Sequence, residues 1–83
     1  MDISFIIPCL NCSNFIEHTI NKLQKKLKKN NIFNYELILI DDGSTDNTSK
    51  ILKKLSSKKI RILKNSKNIG KSASLLRGIK VSK

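Results

Sequence analysis

Apolar positions fall along the chain in two alternating rhythms. Residues 3–8 (ISFIIP) form a β-branched and aromatic run closed by Pro8, which reads as a strand and its terminator. Ile16, Ile20, Leu23 and Leu27 then recur at spacings of four, three and four, one apolar stripe of a helix. Asn14 is placed to cap that helix, with Glu17 able to reach back to the cap amide. Lys25, Lys26, Lys28 and Lys29 occupy its last turns, where cations suit the helix dipole, and Asn30-Asn31 ends it. Residues 35–40 (YELILI) make the second strand, whose four consecutive Leu/Ile residues predict burial on both faces, as in a central parallel strand. Asp41-Asp42-Gly43-Ser44 interrupts it. A shorter helix follows with Ile51, Leu52 and Leu55 inward and Ser44 or Thr45 as cap. Residues 60–63 (IRIL) form a third strand, residues 65–70 a loop, and Ala73, Leu75, Leu76 and Ile79 mark a last helix.

The order βαβαβα implies right-handed crossovers and an α/β fold: a short parallel sheet with helices on its faces, a three-layer, Rossmann-like half-domain. No closing strand follows Val81-Ser82-Lys83, and three parallel strands leave long unpaired edges, so the chain reads as a truncated segment of one domain spanning residues 1–83. In such sheets ligands bind beyond the carboxyl ends of the strands. The polar signals cluster at those ends, in Pro8-Cys9-Leu10-Asn11, in residues 41–46 and in residues 65–71. The three loops are expected to line one rim.

Composition agrees with a small globular chain: 39% of its 83 residues are hydrophobic and 28% charged. No apolar run approaches the roughly 20 residues of a membrane helix. Met1-Asp2-Ile3 offers no basic leader, so the cytoplasm, or the cytoplasmic face of a membrane, is the expected location. The net charge of +11 lies wholly in residues 43–83, which hold twelve Lys/Arg against Asp46 alone. That half suits a polyanionic partner, and it equally suits a merely solvated basic face.

Two adjacent carboxylates at the end of a buried strand are costly unless backbone amides, hydroxyls, a base N–H or a cation satisfy them. Residues 68–72 (NIGKS) combine a glycine with a lysine at a helix start, an arrangement able to approach a diphosphate with amides and an ammonium. The bland alternatives are a helix cap for Asp41-Asp42 and an ordinary glycine turn with a surface Lys71.

Taken together, Ser4 to Asn11, Glu36 to Thr48 (ELILIDDGSTDNT) and Asn68 to Ala73 followed by Arg77-Gly78-Ile79 resemble, in order and spacing, the N-terminal segment of family 2 glycosyltransferases of GT-A type. The third segment, with Lys71 after Gly70, is similar to polyprenyl-phosphate sugar transferases. The resemblance implies half of a GT-A fold that binds a nucleotide-diphosphate sugar. In that reading Pro8 and Asn11 shape the first nucleotide loop, Asp42 hydrogen-bonds the base, Asp41 supports that turn or the ribose, and Lys71 lies near the nucleotide or its phosphates. Leu10 replaces the family's frequent base-packing Tyr, leaving apolar contact only. The family's metal-binding Asp-x-Asp and catalytic base belong to later segments, so no catalytic residue and no metal ligand is expected among these 83. A divalent cation (Mg or Mn) is expected for the complete enzyme, none bound by this chain alone. The implied reaction is inverting glycosyl transfer to a lipid-phosphate or glycan acceptor, with peripheral membrane association and no nucleic acid as partner.

Three other readings compete. Residues 65–72 approach a P-loop but carry Asn65 in place of its first Gly. Cys9-Leu10-Asn11-Cys12 has thioredoxin-like spacing without a second proline or a further metal ligand set, and two separate reduced thiols are the simpler expectation. The basic half could bind RNA or DNA, yet no aromatic platform accompanies it.

Overall fold

The six elements occur in the expected order in the computed structural model, which describes residues 3–82: β1 (Ile3–Cys9), α1 (Ile16–Lys29), β2 (Tyr35–Asp42), α2 (Thr48–Leu55), β3 (Ile60–Asn65) and α3 (Lys71–Val81). The strands are parallel in the order β1-β2-β3, with Ile3 opposite Tyr35 and Leu37 opposite Ile60. β2 is buried along its whole length because it is central and covered on both faces. Alternation along the strand divides its side chains. Leu37 and Leu39 join Ile16, Ile20 and Leu27 of α1 and Leu52 of α2 in one core. Ile40 and Ile6 face the other way and meet Gly78 of α3. The result is three layers, α1 and α2 on one face and α3 on the other. Each buried Leu or Ile contributes roughly 1.5–3 kcal/mol, so the two-sided apolar run of β2 is what binds both helical layers to one strand.

Polar exceptions are accounted for. Glu36, on the α3 face at the start of β2, accepts the Ser4 hydroxyl at 2.7 Å and faces Arg61 at 3.8 Å. Arg61 also donates to the Val81 carbonyl at 2.8 Å, tying the end of α3 to β3. Pro8 is tolerated inside β1 because that strand pairs on one side, with β2, among the described residues.

The strands run longer than the apolar pattern predicts, to Cys9, Asp42 and Asn65. Pairing of Asp41 with Lys64 and of Asp42 with Asn65 carries the ladder past the apolar residues. Two expected caps are displaced. The cap residue of α1 is Phe15 rather than Asn14, and the Cys12 carbonyl receives the Phe15 and Ile16 amides instead. α2 starts after Asn47, because Ser44 and Thr45 are engaged elsewhere and Asp46 receives the Thr48 amide at 2.9 Å. The end of α1 falls where expected. Ile32 donates to Leu27 and Asn31 to Lys28, with Asn31 at φ 59, the left-handed residue of a Schellman ending.

α3 lies so close to the sheet that a Cβ on Gly78 would stand 2.4 Å from Ile6 Cγ2 and 2.9 Å from Ile40 Cδ1. Gly78→Ala should therefore destabilise the fold by roughly 1–3 kcal/mol, because overpacking outweighs the gain in helix propensity. Chemical denaturation measures it; a stabilised variant would mean that α3 can shift outward freely.

Candidate functional site at the carboxyl ends of the strands

The first loop is locked to the second. Asn11, at φ 51, donates its amide to Ser44 Oγ at 3.0 Å and accepts the Thr45 amide on its side-chain oxygen at 2.8 Å. Cys12 donates to the buried Thr48 hydroxyl at 3.0 Å, and Ser13 Oγ donates to Asp46 at 2.7 Å. The Thr48 hydroxyl in turn donates to Asp46. That carboxylate is held down to about 2, chiefly by the Thr48 hydroxyl, with burial opposing and Ser13 assisting.

The two carboxylates at the end of β2 point to opposite faces, as neighbours in a strand must. Asp41 turns toward α2, receiving the Ser44 amide at 2.9 Å and the Ser49 hydroxyl. Burial works against its charge, but the Ser44 and Ser49 donors and the Lys64 charge prevail and leave it below the usual carboxylate range. Asp42 turns toward α3 and receives the Ile69 amide at 2.8 Å, the Gly70 amide at 3.1 Å and Asn65 Nδ2 at 2.9 Å. The Ile69 amide is the main reason that it too stays ionised; burial opposes, and Asn65, Gly70 and Ser74 add to the effect. Each aspartate thus braces a loop. Gly43, at φ 74, lets the second and third loops touch, since a Cβ there would stand 2.6 Å from the Asn68 amide nitrogen.

A cavity of about 510 Å³ opens beside the carboxyl end of β1, between the start of α1 on one face of the sheet and the start of α3 on the other. Its volume is in the range of small-molecule sites. Ile7, Pro8, Leu10 and Phe15 supply apolar lining from β1 and the start of α1, and Asp42, Asn68, Gly70 and Lys71 supply polar lining from the end of β2 and the start of α3. Gly70 sits at φ 93 and ψ 158, a backbone region essentially reserved for glycine, and nothing within 4 Å would meet a Cβ there. No side chain caps α3, so its first-turn amides lack a side-chain partner.

The sequence-derived site residues therefore divide. Pro8, Leu10, Asp42 and Lys71 line the cavity, whereas Asn11 and Asp41 brace the loops around it. Phe15, Asn68 and Gly70 also line it. Gly70 stood in the NIGKS motif, but nothing in the linear pattern marked Phe15, which precedes the apolar stripe of α1. The side chains of Cys9 and Cys12 meet, with Cα atoms 6.0 Å apart, so the two residues are neighbours in space rather than separate thiols. The turn after β1 folds back within that reach. The two carboxylates do not form a metal-binding pair, because they face opposite sides of the sheet and are engaged by protein hydrogen-bond donors. Among the described residues no cluster of three metal-ligating side chains occurs, and no helix is long and apolar enough to cross a membrane.

Two outcomes follow from the bracing. Gly43→Ala should cost at least roughly 1–2 kcal/mol from its positive φ alone, read as a lower denaturation midpoint; an unchanged midpoint would show that the second and third loops can separate. The folded carboxylates bind protons less readily than the unfolded ones. Stability should therefore be fully present above about pH 4 and fall progressively toward pH 2. Thermal melts across that range should show the loss, and Asp46→Asn should flatten it; a flat profile in the parent would refute the bracing.

The family model for glycosyl transferase family 2 matches residues 4–83. The chain is 38% identical over 89 residues to a dolichyl-phosphate beta-glucosyltransferase of Dictyostelium discoideum, covering 98% of this chain and 27% of that protein. It is 32% identical over 81 residues to a dolichol-phosphate mannosyltransferase of Pyrococcus furiosus, covering 96% of this chain and 22% of that protein. It is also 47% identical over 55 residues to an uncharacterized glycosyltransferase of Mycoplasma genitalium, covering 66% of this chain and 18% of that protein. The chain thus spans about a quarter or less of the length of these relatives. With its three-layer fold and a family match running through all three loops, the chain belongs to glycosyl transferase family 2.

Proposed function

We propose that the rim built by the loops after β1, β2 and β3 binds the nucleotide of a nucleotide-diphosphate sugar, as the sugar-donor part of a glycosyltransferase. One observation carries the reading: the loops after β1 and β3 and the end of β2 meet at one cavity, lined by the apolar Pro8, Leu10 and Phe15 together with Asp42, Gly70 and Lys71. The base lies against Pro8 and Leu10, and Asp42 accepts a base N–H while it holds the third loop. The diphosphate lies toward the uncapped start of α3, where first-turn amides, the helix dipole and the Lys71 ammonium favour negative charge. Asn11 and Asp41 keep the first two loops in place.

The acceptor class is a lipid phosphate, in keeping with the names of the dolichyl- and dolichol-phosphate relatives. The net charge of +11 suits peripheral contact with an anionic membrane surface. A divalent cation accompanying the diphosphate would take its protein ligands from residues other than Asp41 and Asp42, and catalytic acceleration would need groups that this segment does not supply. A P-loop reading fits less well. The Ile69 and Gly70 amides, which would have to wrap a phosphate, donate to Asp42 instead.

Isothermal titration with uridine and guanosine diphosphates tests the proposal. A nucleoside diphosphate should bind, Lys71→Ala should weaken it by about fivefold while leaving the free nucleoside unaffected, and added salt should mimic the variant. Absence of binding by either diphosphate would refute the reading, and a preference for ATP over both would favour the P-loop.

A further inference from the structure

We infer that Phe15 is the aromatic surface on which the base of the bound nucleotide stacks, an inference that rests on the proposed nucleotide site and adds a residue to it. Phe15 is 56% exposed, yet it lines the cavity beside Pro8 and Leu10. It belongs to neither the core nor the apolar residues packed against the core. The other rings are placed elsewhere. Phe5 and Tyr35 stack edge to face with centroids 6.3 Å apart, and Lys59 sits over the Tyr35 ring at 4.5 Å. Phe33 is 55% exposed, but it precedes β2 and so lies at the amino-terminal end of the sheet, away from the rim. Among the described residues, Phe15 is thus the ring available at the cavity.

Its backbone is well anchored. The Phe15 amide donates to the Cys12 carbonyl at 3.2 Å, and its carbonyl accepts the Thr19 amide at 2.9 Å. The ring is therefore presented from the fixed start of α1, and an aromatic side chain has only two rotatable bonds to order. An exposed flat apolar group before α1 and Asn68, Gly70 and Lys71 at the start of α3, lining one cavity, match a ligand that has a π face at one end and negative charge at the other. A nucleoside diphosphate has that shape. Stacking on an aromatic side chain is tolerant of base identity, so Phe15 supplies affinity for the nucleoside and leaves base choice to hydrogen-bonding groups.

The chain contains no tryptophan, so Phe15→Trp introduces a single indole reporter. Titration with uridine diphosphate or guanosine diphosphate should quench its fluorescence saturably, whereas pyrophosphate should not. Phe33→Trp, the control at the other end of the sheet, should remain unquenched. By calorimetry Phe15→Ala should weaken nucleoside diphosphate binding roughly tenfold and leave pyrophosphate binding within about twofold. Parent-like affinity in Phe15→Ala, or an unquenched Phe15→Trp that still binds nucleotide, would overturn the inference while leaving the nucleotide site standing. If the parent binds no nucleoside diphosphate, both fall together. Circular dichroism checks the fold of each variant; should the alanine form unfold, Phe15→Leu and Phe15→Trp decide the question.

Discussion

At the end of the central strand two ionised carboxylates are removed from water, and the loops of the candidate site are arranged around satisfying them. Asp41 and Asp42 are only 1% and 4% exposed. Leaving either without hydrogen-bond donors would cost several kcal/mol, a large share of the stability of a small domain. The donors come from elsewhere in the chain. Ser44 and Ser49 serve Asp41, whereas Asn65, Ile69 and Gly70 serve Asp42. Because consecutive strand residues face opposite ways, one aspartate organises the α2 side and the other the α3 side. Burial of charge is thereby converted into loop geometry.

The same constraint explains where the cavity lies. α1 leaves β1 on one face of the sheet and α3 packs on the other, so the two helix starts diverge at the carboxyl end of β1. The Asp42 bonds hold the 65–70 loop against the rim and place Gly70 and Lys71 at the crevice. Gly43 permits the contact between the second and third loops, and Asn11 closes the first loop onto the second. No single loop makes the site. It exists because three turns, each too short to form a pocket alone, are cross-tied by hydrogen bonds spanning 23 to 36 positions in sequence.

The family match covers residues 4–83 and therefore speaks for the fold as a whole. At the cavity the chain presents an uncapped helix start, a lysine, apolar side chains and an exposed phenylalanine. Those groups suit recognition of a nucleotide. The buried carboxylates, by contrast, are engaged by hydrogen-bond donors within the protein. The proposed nucleotide recognition rests on those cavity groups.

Period and order alone determined the architecture. The alternation of apolar runs with three-to-four-residue stripes specified βαβαβα, and the uninterrupted run in YELILI marked β2 as central, because local periodicity follows directly from which faces must be buried. The DDGST and NIGKS segments were also legible as loops carrying chemistry, since glycine and paired acids are costly within regular structure. Tertiary structure decided the rest. Whether Asn11 faces a ligand or a neighbouring loop, which sides Asp41 and Asp42 serve, and that Cys9 meets Cys12 all depend on contacts between segments that periodicity does not encode. Phe15 shows the difference most plainly. In the sequence it is one apolar residue before a helix, and only the folded chain places it, exposed, on the wall of the cavity.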